Sequence, residues 1–208
     1  MTGKFSRGGA PGERDDSSGA GRRERRVRPP LDEIVLGEMA LAYAARFATT
    51  RSRLVTYLDR KLRERGWSGE VPADPAALAE RLSGLGYVSD GDYAIARARS
   101  LTRRGYGAGR VGRDLYAAGI DAIDGAAARN LAAAGAVDSA LRFIERRRIG
   151  PFASETNVDP ALRQRWLGAL IRAGHPFALA RILVSLQGVD QIDAAALARA
   201  VNRGDESV

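Results

Sequence analysis

One helical motif that ends in glycine occurs three times in this chain: Lys61-Leu62-Arg63-Glu64-Arg65-Gly66, Leu115-Tyr116-Ala117-Ala118-Gly119 and Leu170-Ile171-Arg172-Ala173-Gly174. The three glycines lie 53 and 55 residues apart, and a second set, Gly86, Gly135 and Gly188, lies 49 and 53 residues apart. Glycine commonly ends a helix because it enters the left-handed conformation without a Cβ clash. A unit of this kind, repeated about every 50 residues, predicts an elongated array of small helical modules.

Hydrophobic spacing predicts helices over nearly all of the chain after residue 30. Ile34, Leu41 and Ala45 recur at i, i+7 and i+11, which predicts one apolar face of a helix over 31–47. A second helix is predicted over 50–65. Side chains expected in the core are Leu54, Leu58, Leu101, Leu115, Trp166 and Leu183.

Capping residues predict where the later helices begin. Asp74-Pro75 and Asp159-Pro160 each combine an N-cap residue with proline at the first helical position, and His175-Pro176 precedes another helix. Ser89 and Asp121 are predicted to start helices that end near Arg104 and Gly135.

The expected fold class is therefore all-α: three tandem three-helix repeats in an elongated, curved array, preceded by a disordered basic tail. The predicted boundaries are 1–30 for the tail, 31–88, 89–136 and 137–190 for the repeats, and 191–208 for a short helix and polar end.

Composition excludes several classes of protein. There is no cysteine and only one histidine, His175, so neither a disulfide framework nor a thiolate metal site is expected. No partnered nucleophile or base accompanies His175, and we predict no catalytic residue, no metal and no cofactor. Without a secretory or membrane-spanning segment, the expected compartment is the cytoplasm.

The net charge of +8 favours a polyanionic partner such as nucleic acid, or an acidic protein surface. Residues 1–30 hold eight Lys/Arg and four Asp/Glu, so they carry +4 of this charge. Their low apolar content predicts disorder. Two interpretations of the arginines in 22–28 stay open: they contact phosphates, or they only solubilise the chain.

Residues 107–112 spell the pattern G-x-G-x-x-G, which is found in dinucleotide-binding folds. That function requires a preceding strand and a parallel sheet, and the sequence predicts a helix ahead of Gly107 instead. We interpret these glycines as the turn and opening of a small helix.

Basic side chains concentrate in and around the second repeat, beyond what helix dipoles alone favour. The candidate contacts for nucleic acid or a nucleic-acid-bound partner are Arg97, Arg99, Arg103, Arg104, Arg110, Arg113, Arg146, Arg147, Lys61 and Arg65. Helical geometry predicts that Arg99 and Arg103 point away from Leu101, toward solvent, whereas Arg97 and Arg104 flank apolar surface.

The middle of the chain resembles the RecX family, regulatory proteins of the bacterial recombinase RecA. The resemblance is carried by residues 86–94, 97–107, 110–115 and 118–120, and it extends back over 54–67. It implies tandem three-helix repeats in a curved shape. It also implies a non-catalytic modulator that binds the RecA–DNA filament and limits its growth, ATP hydrolysis and strand exchange. The implied partners are the filament and single-stranded DNA, with duplex DNA as a further candidate, and a monomer is expected.

A stand-alone helical DNA-binding protein is the alternative. A reader of base sequence presents Asn, Gln and Arg to base edges. The expected surface helices here offer arginine but almost no Asn or Gln, which favours backbone contact without sequence readout. A helical scaffold that binds no nucleic acid leaves the arginine excess unexplained.

Overall fold

The computed structural model describes residues 28–154 and 159–205, with side chains as far as Arg199. Within these ranges the chain is helical and has no β-strand, which confirms the all-α class. The α-helices are α1 (Glu33–Arg46), α2 (Arg51–Arg65), α3 (Pro75–Gly84), α4 (Asp90–Arg103), α5 (Ala108–Ala117), α6 (Ala126–Ala134), α7 (Ala136–Arg147), α8 (Pro160–Arg172), α9 (Phe177–Ser185) and α10 (Ala194–Asp205). The tail was predicted to be disordered over 1–30, and residues 1–27 of it lie outside the described ranges. Residues 28–30 are described, and the carbonyl of Pro29 accepts a hydrogen bond from Arg65.

Helices α1–α3 enclose a first hydrophobic core in which Leu54 and Leu58 of α2 are fully buried, as predicted. Leu36 and Ala40 supply the buried side of α1. The start of α3 also matches the prediction, because the carboxylate of Asp74 accepts the N–H of Ala77 at 2.9 Å.

Helices α4–α6 enclose a second core, in which Leu101 and Leu115 are buried as predicted. The contact between α4 and α6 is formed mainly by alanine side chains. Four fully buried alanines line it: Ala94, Ala98, Ala128 and Ala132. Because the distance between helix axes depends on the side chains at the contact, alanine lets these two helices pack closely.

Helices α7–α10 enclose a third core, formed around buried residues that include Ile144, Leu170, Leu179, Leu183 and Leu197. Leu183 is buried as predicted. Trp166 is only partly buried at the edge of this core, so that prediction was wrong. The fully buried Leu170, one turn further along α8, takes the central position instead.

The first junction joins the α1–α3 group to the α4–α6 group. The hydroxyl of Thr50, at the start of α2, donates to the carbonyl of Ala118, at the end of α5, over 2.7 Å. Gly119 follows with φ of +72°, and a Cβ there would lie 2.3 Å from the Cβ of Ser52. Glycine is required at this position because the end of α5 abuts the first turn of α2.

The second junction joins the α4–α6 group to the α7–α10 group by the same kind of contact. The N–H groups of Gly107 and Gly109, at the start of α5, donate to the carbonyls of Ala173 and Gly174, each over 3.0 Å. A Cβ on Gly174, whose φ is +91°, would lie 2.1 Å from the backbone nitrogen of Arg110. Gly107 and Gly109 of the G-x-G-x-x-G pattern therefore serve close backbone packing as well as the turn, whereas a Cβ on Gly112 would meet nothing within 4 Å.

Both junctions place the C-terminal end of one helix against the N-terminal end of another. The end of α8 meets the start of α5, and the end of α5 meets the start of α2. The partial negative charge at a helix C-terminus is favourable beside the partial positive charge at an N-terminus. Helices α8, α5 and α2 thus follow one another head to tail.

Three further predictions were wrong in detail. Ile34 and Leu41 are 74% and 41% exposed, so the apolar face predicted for α1 faces solvent. Residues 121–125 form a turn, in which the carboxylate of Asp121 accepts the N–H of Asp124, and α6 starts at Ala126. In the second set of glycines only Gly86 has positive φ; Gly135 has φ of −87° and Gly188 of −154°.

Candidate nucleic-acid interface

Five of the ten basic residues predicted as contacts form hydrogen bonds or ion pairs within the protein: Arg97, Lys61, Arg65, Arg113 and Arg146. Arg97 forms a two-pronged ion pair with Asp114, with N–O distances of 2.5 and 2.9 Å. This guanidinium lowers the pKa of the Asp114 carboxyl. Lys61 pairs with Glu64 at 2.5 Å. Arg65 donates from Nε and Nη2 to the carbonyl of Pro29 at 3.0 and 2.8 Å.

Arg99 and Arg103 lie one turn apart on α4, and both side chains are exposed, as their position opposite the buried Leu101 predicts. Within residues 28–154 and 159–199, no side-chain hydrogen bond joins Arg99 or Arg103 to Arg104, Arg113, Arg146 or Arg172.

The remaining predicted arginines converge on the second junction, together with Arg172, which the sequence patterns did not indicate. Arg146 of α7 donates to the carbonyl of Arg104. Arg113 of α5 donates to the carbonyl of Arg172 over 3.0 Å. We call the exposed guanidinium groups gathered here the arginine surface; it consists of Arg104, Arg110, Arg113, Arg146, Arg147 and Arg172.

Two aromatic rings support the arginine surface. The guanidinium groups of Arg104 and Arg110 lie 5.5 and 5.8 Å from the centroid of the Tyr106 ring. That of Arg147 lies 5.6 Å from the centroid of the Phe143 ring. These are distances at which a cation is attracted to the face of an aromatic ring. The rings hold the arginine side chains against the protein surface.

Close ion pairs do not neutralise the arginine surface within the described residues. None of its six guanidinium groups forms an ion pair with a carboxylate in the part of the chain that the structure describes. Arginine offers several donors in a fixed geometry that suits phosphate oxygens. The surface is therefore equipped to contact a phosphate backbone or the acidic surface of a protein.

A buried histidine lies beneath this surface. The Nε2–H of His175 donates to the carbonyl of Gly105 over 3.0 Å, and Nδ1 has no hydrogen-bond partner within the described residues. The Phe143 ring lies 5.6 Å from the imidazole. Burial lowers the pKa of His175 to about 4. The imidazole is thus neutral at pH 7 and serves packing between two helical groups.

The first junction, in contrast, gathers carboxylates. Arg51 contacts Asp90 at 3.2 Å, Glu80 at 3.0 Å and Asp124 at 2.5 Å, and Asp121 lies at 4.0 Å. Asp90 also accepts the backbone N–H of Arg51 at 2.9 Å. This network joins α2, α3, α4 and the 121–125 turn. No local pattern in the sequence indicates it, since its members are 29 to 73 residues apart from Arg51.

Neither a metal centre nor a membrane-spanning helix is present in the described part of the chain. These residues contain no group of three or more His, Cys, Asp or Glu side chains placed to hold a metal ion. None of their helices has both the length and the apolar character needed to cross a bilayer.

Sequence comparison identifies the family to which the chain belongs. The chain is similar to a protein of Myxococcus xanthus (strain DK1622) named Regulatory protein RecX, with 31% identity over 172 residues, covering 78% of this chain and 89% of that protein. The chain belongs to the RecX family of regulatory proteins. A second RecX protein, from Mycobacterium sp. (strain JLS), is 29% identical over 153 residues, covering 72% of this chain and 82% of the relative. No family model matches the chain.

Proposed function

We propose that this protein is a non-catalytic modulator of the RecA recombinase that binds the RecA–DNA filament and limits its extension, ATP hydrolysis and strand exchange. Membership of the RecX family supports a regulatory role. The observation that carries the proposal is the arginine surface, six exposed guanidinium groups without carboxylate partners in the described residues.

The proposed mechanism is a shift between states of the filament. A recombinase filament has a helical groove with DNA phosphates at its centre and subunit interfaces at its walls. The protein lies in this groove, and the arginine surface contacts phosphates while the rest of the chain contacts RecA. Inhibition requires it to bind some filament states more tightly than others, because a ligand that binds all states equally shifts no equilibrium.

The proposal includes an organisation of the chain. Three tandem three-helix repeats, over 31–88, 89–136 and 137–190, form a curved monomer that functions in the cytoplasm. The parallel between the two junctions supports it, because Gly119 and Gly174 each bring one helix end against the start of an earlier helix. Arg99 and Arg103 of α4 add further phosphate contacts beside the arginine surface.

The direct test adds the protein to its cognate recombinase on single-stranded DNA. Amounts below one molecule per recombinase subunit should slow filament extension and ATP hydrolysis. If extension and hydrolysis are unchanged at an equimolar ratio, the proposed function is wrong. Binding to filaments and to naked duplex DNA, compared at one salt concentration, distinguishes a filament modulator from a stand-alone DNA-binding protein.

The role of the arginine surface is tested with two variants of equal charge. The first replaces Arg110, Arg113, Arg147 and Arg172 by Gln. The control replaces four exposed arginines outside this surface: Arg63, Arg81, Arg142 and Arg163. The first should inhibit less and show a flatter salt dependence of DNA binding, by about 0.7 log–log units for each phosphate of a single strand that is no longer bound. Equal inhibition by both variants would place the DNA-binding surface elsewhere.

A further inference from the structure

A notch of about 210 Å³ opens in the arginine surface between α7 and α8. Its apolar part is formed by Tyr106, Phe143, Ala169 and Ala173. Phe143 and Ala173 are only 5% and 4% exposed, so they form a fixed floor. The short side chains of the two alanines leave the space open. Pockets for drug-sized ligands start at about 300 Å³, and this notch suits a smaller flat group.

The rim of the notch is positively charged. Arg147 and Arg172 line it, and its lining contains no carboxylate. The larger cavity beside α1 and α3, of about 360 Å³, is lined by Glu33, Asp74 and Arg81, so its lining carries a net negative charge and disfavours an anion. Another cavity of about 210 Å³ is lined by Arg148 and also lacks a carboxylate. The notch at the second junction is lined by two arginines and adjoins the arginine surface, so it is better suited to a phosphorylated ligand.

The shape of the notch distinguishes between single-stranded and duplex nucleic acid. Proteins bind unpaired bases by stacking them on aromatic rings or on arginine planes, while basic side chains follow the backbone. Here the Arg147 guanidinium is held against the Phe143 ring, next to an apolar slot. In a duplex the bases are paired and stacked, so none is free to enter the slot.

We propose that this notch binds one unpaired base of a single-stranded nucleic acid, with the adjoining phosphate on Arg147 and Arg172. This inference rests on the proposed function and gives the arginine surface a preference for single strands. The base lies against Ala169 and Ala173 at the slot, and the remaining arginines of the surface contact neighbouring phosphates.

The experiment compares three ligands of equal length at one salt concentration by fluorescence anisotropy: oligo(dT), an abasic oligonucleotide with the same backbone, and a duplex. The protein should bind oligo(dT) about tenfold more tightly than the abasic strand, because the abasic strand has no base to fill the slot beside the Arg147 guanidinium. A change of about tenfold lies within the range measured for the loss of one base contact. The duplex should compete less well than oligo(dT). Equal affinity for oligo(dT) and the abasic strand, or equal competition by the duplex, overturns the proposal.

Three variants test whether the preference for oligo(dT) arises at the notch. Ala169→Leu fills the slot without changing charge and should reduce the preference for oligo(dT) to within about twofold, with unchanged affinity for the abasic strand. Arg147→Gln combined with Arg172→Gln should weaken binding of both strands. Arg163→Gln, on the other side of α8, is the matched control and should change neither. A folded Ala169→Leu variant that keeps the tenfold preference overturns the assignment.

A competition with free nucleotide distinguishes a site for a base within a strand from a site for a mononucleotide. Free dTMP at the concentration of the oligonucleotide should not displace it, because the strand is also held by neighbouring arginines; displacement would mean that the notch is a mononucleotide site. Filament extension and ATP hydrolysis are measured on the same variants. If the base preference is absent and inhibition persists, this inference fails and the proposed function stands.

Discussion

The buried hydroxyl of Thr50 donates to the carbonyl oxygen of Ala118, which lies 68 residues further along the chain, over 2.7 Å. The hydroxyl oxygen of Thr50 also accepts the N–H of Arg53 at 3.2 Å, so it caps the start of α2. One hydroxyl thus both starts a helix and holds the first junction. Because Thr50 is fully buried, no water can take its place at Ala118.

Replacing Thr50 by Val keeps the shape of the side chain and removes both hydrogen bonds. We expect the free energy of unfolding to fall by about 1–3 kcal/mol, measured by urea denaturation. The control is Thr56→Val, which removes an exposed hydroxyl that bonds within α2. It should change the stability by less than about 0.5 kcal/mol. Equal effects in the two variants would show that the bond to Ala118 contributes nothing.

Gly174→Ala should disrupt the second junction. Its positive φ costs about 1–3 kcal/mol for a residue with a Cβ, and a backbone clash with Arg110 adds to this. Amide hydrogen exchange should increase at the start of α5, where the junction bonds form. Gly37→Ala in α1 is the control, since nothing lies within 4 Å of its added Cβ. That variant should be stabilised by about 0.5–1 kcal/mol. Unchanged exchange in Gly174→Ala would contradict the role assigned to this glycine.

The stability should depend on pH through His175. Its pKa is lowered from 6.5 to about 4 in the folded protein, so the unfolded chain binds the proton at higher pH. The contribution of His175 to the free energy of unfolding is complete above pH 6.5, the pKa in the unfolded chain. It falls by about 1 kcal/mol per pH unit as the pH drops from 6.5 to about 4. His175→Gln lacks this proton, and its free energy of unfolding should approach that of the parent as the pH falls. Parallel pH profiles would mean that His175 is not buried neutral.

Truncation should separate the tail from the first helical group. Deleting residues 1–27 should leave the melting temperature nearly unchanged. Deleting residues 1–30 also removes the Pro29 carbonyl to which Arg65 donates, and should lower stability by about 1 kcal/mol. We therefore expect that stability is insensitive to removal of 1–27 but not to removal of the whole predicted tail, 1–30. Equal melting temperatures for the two truncations would contradict this boundary.

Local signals in the sequence predicted much of the fold. The caps at Asp74 and Asp159 start α3 and α8 as expected, with the Asp159 carboxylate accepting the N–H of Leu162. Gly66, Gly119 and Gly174 all have positive φ, as predicted for helix-ending glycines. These features depend on residues three or four apart in the chain, so composition and spacing determine them.

Long-range packing explains what the sequence could not predict. Both faces of α1 carry apolar residues, and the choice of Leu36 and Ala40 over Ile34 and Leu41 depends on how α2 and α3 pack against them. Buried alanines such as those between α4 and α6 blur the periodicity further, because alanine is also common on surfaces. Arg172 was missed because its neighbours on the arginine surface belong to α5 and α7.

The Arg51 network has a consequence for how the molecule meets a charged partner. It holds four carboxylates around a single guanidinium at the first junction, while the second junction carries six guanidinium groups. Separating charge in this way gives the protein an electric dipole moment in addition to its net charge. In the field of a polyanion this moment exerts a torque that turns the second junction forward before any contact is made. The carboxylates that stabilise the first junction thereby favour an orientation of the protein in which the second junction faces an approaching polyanion.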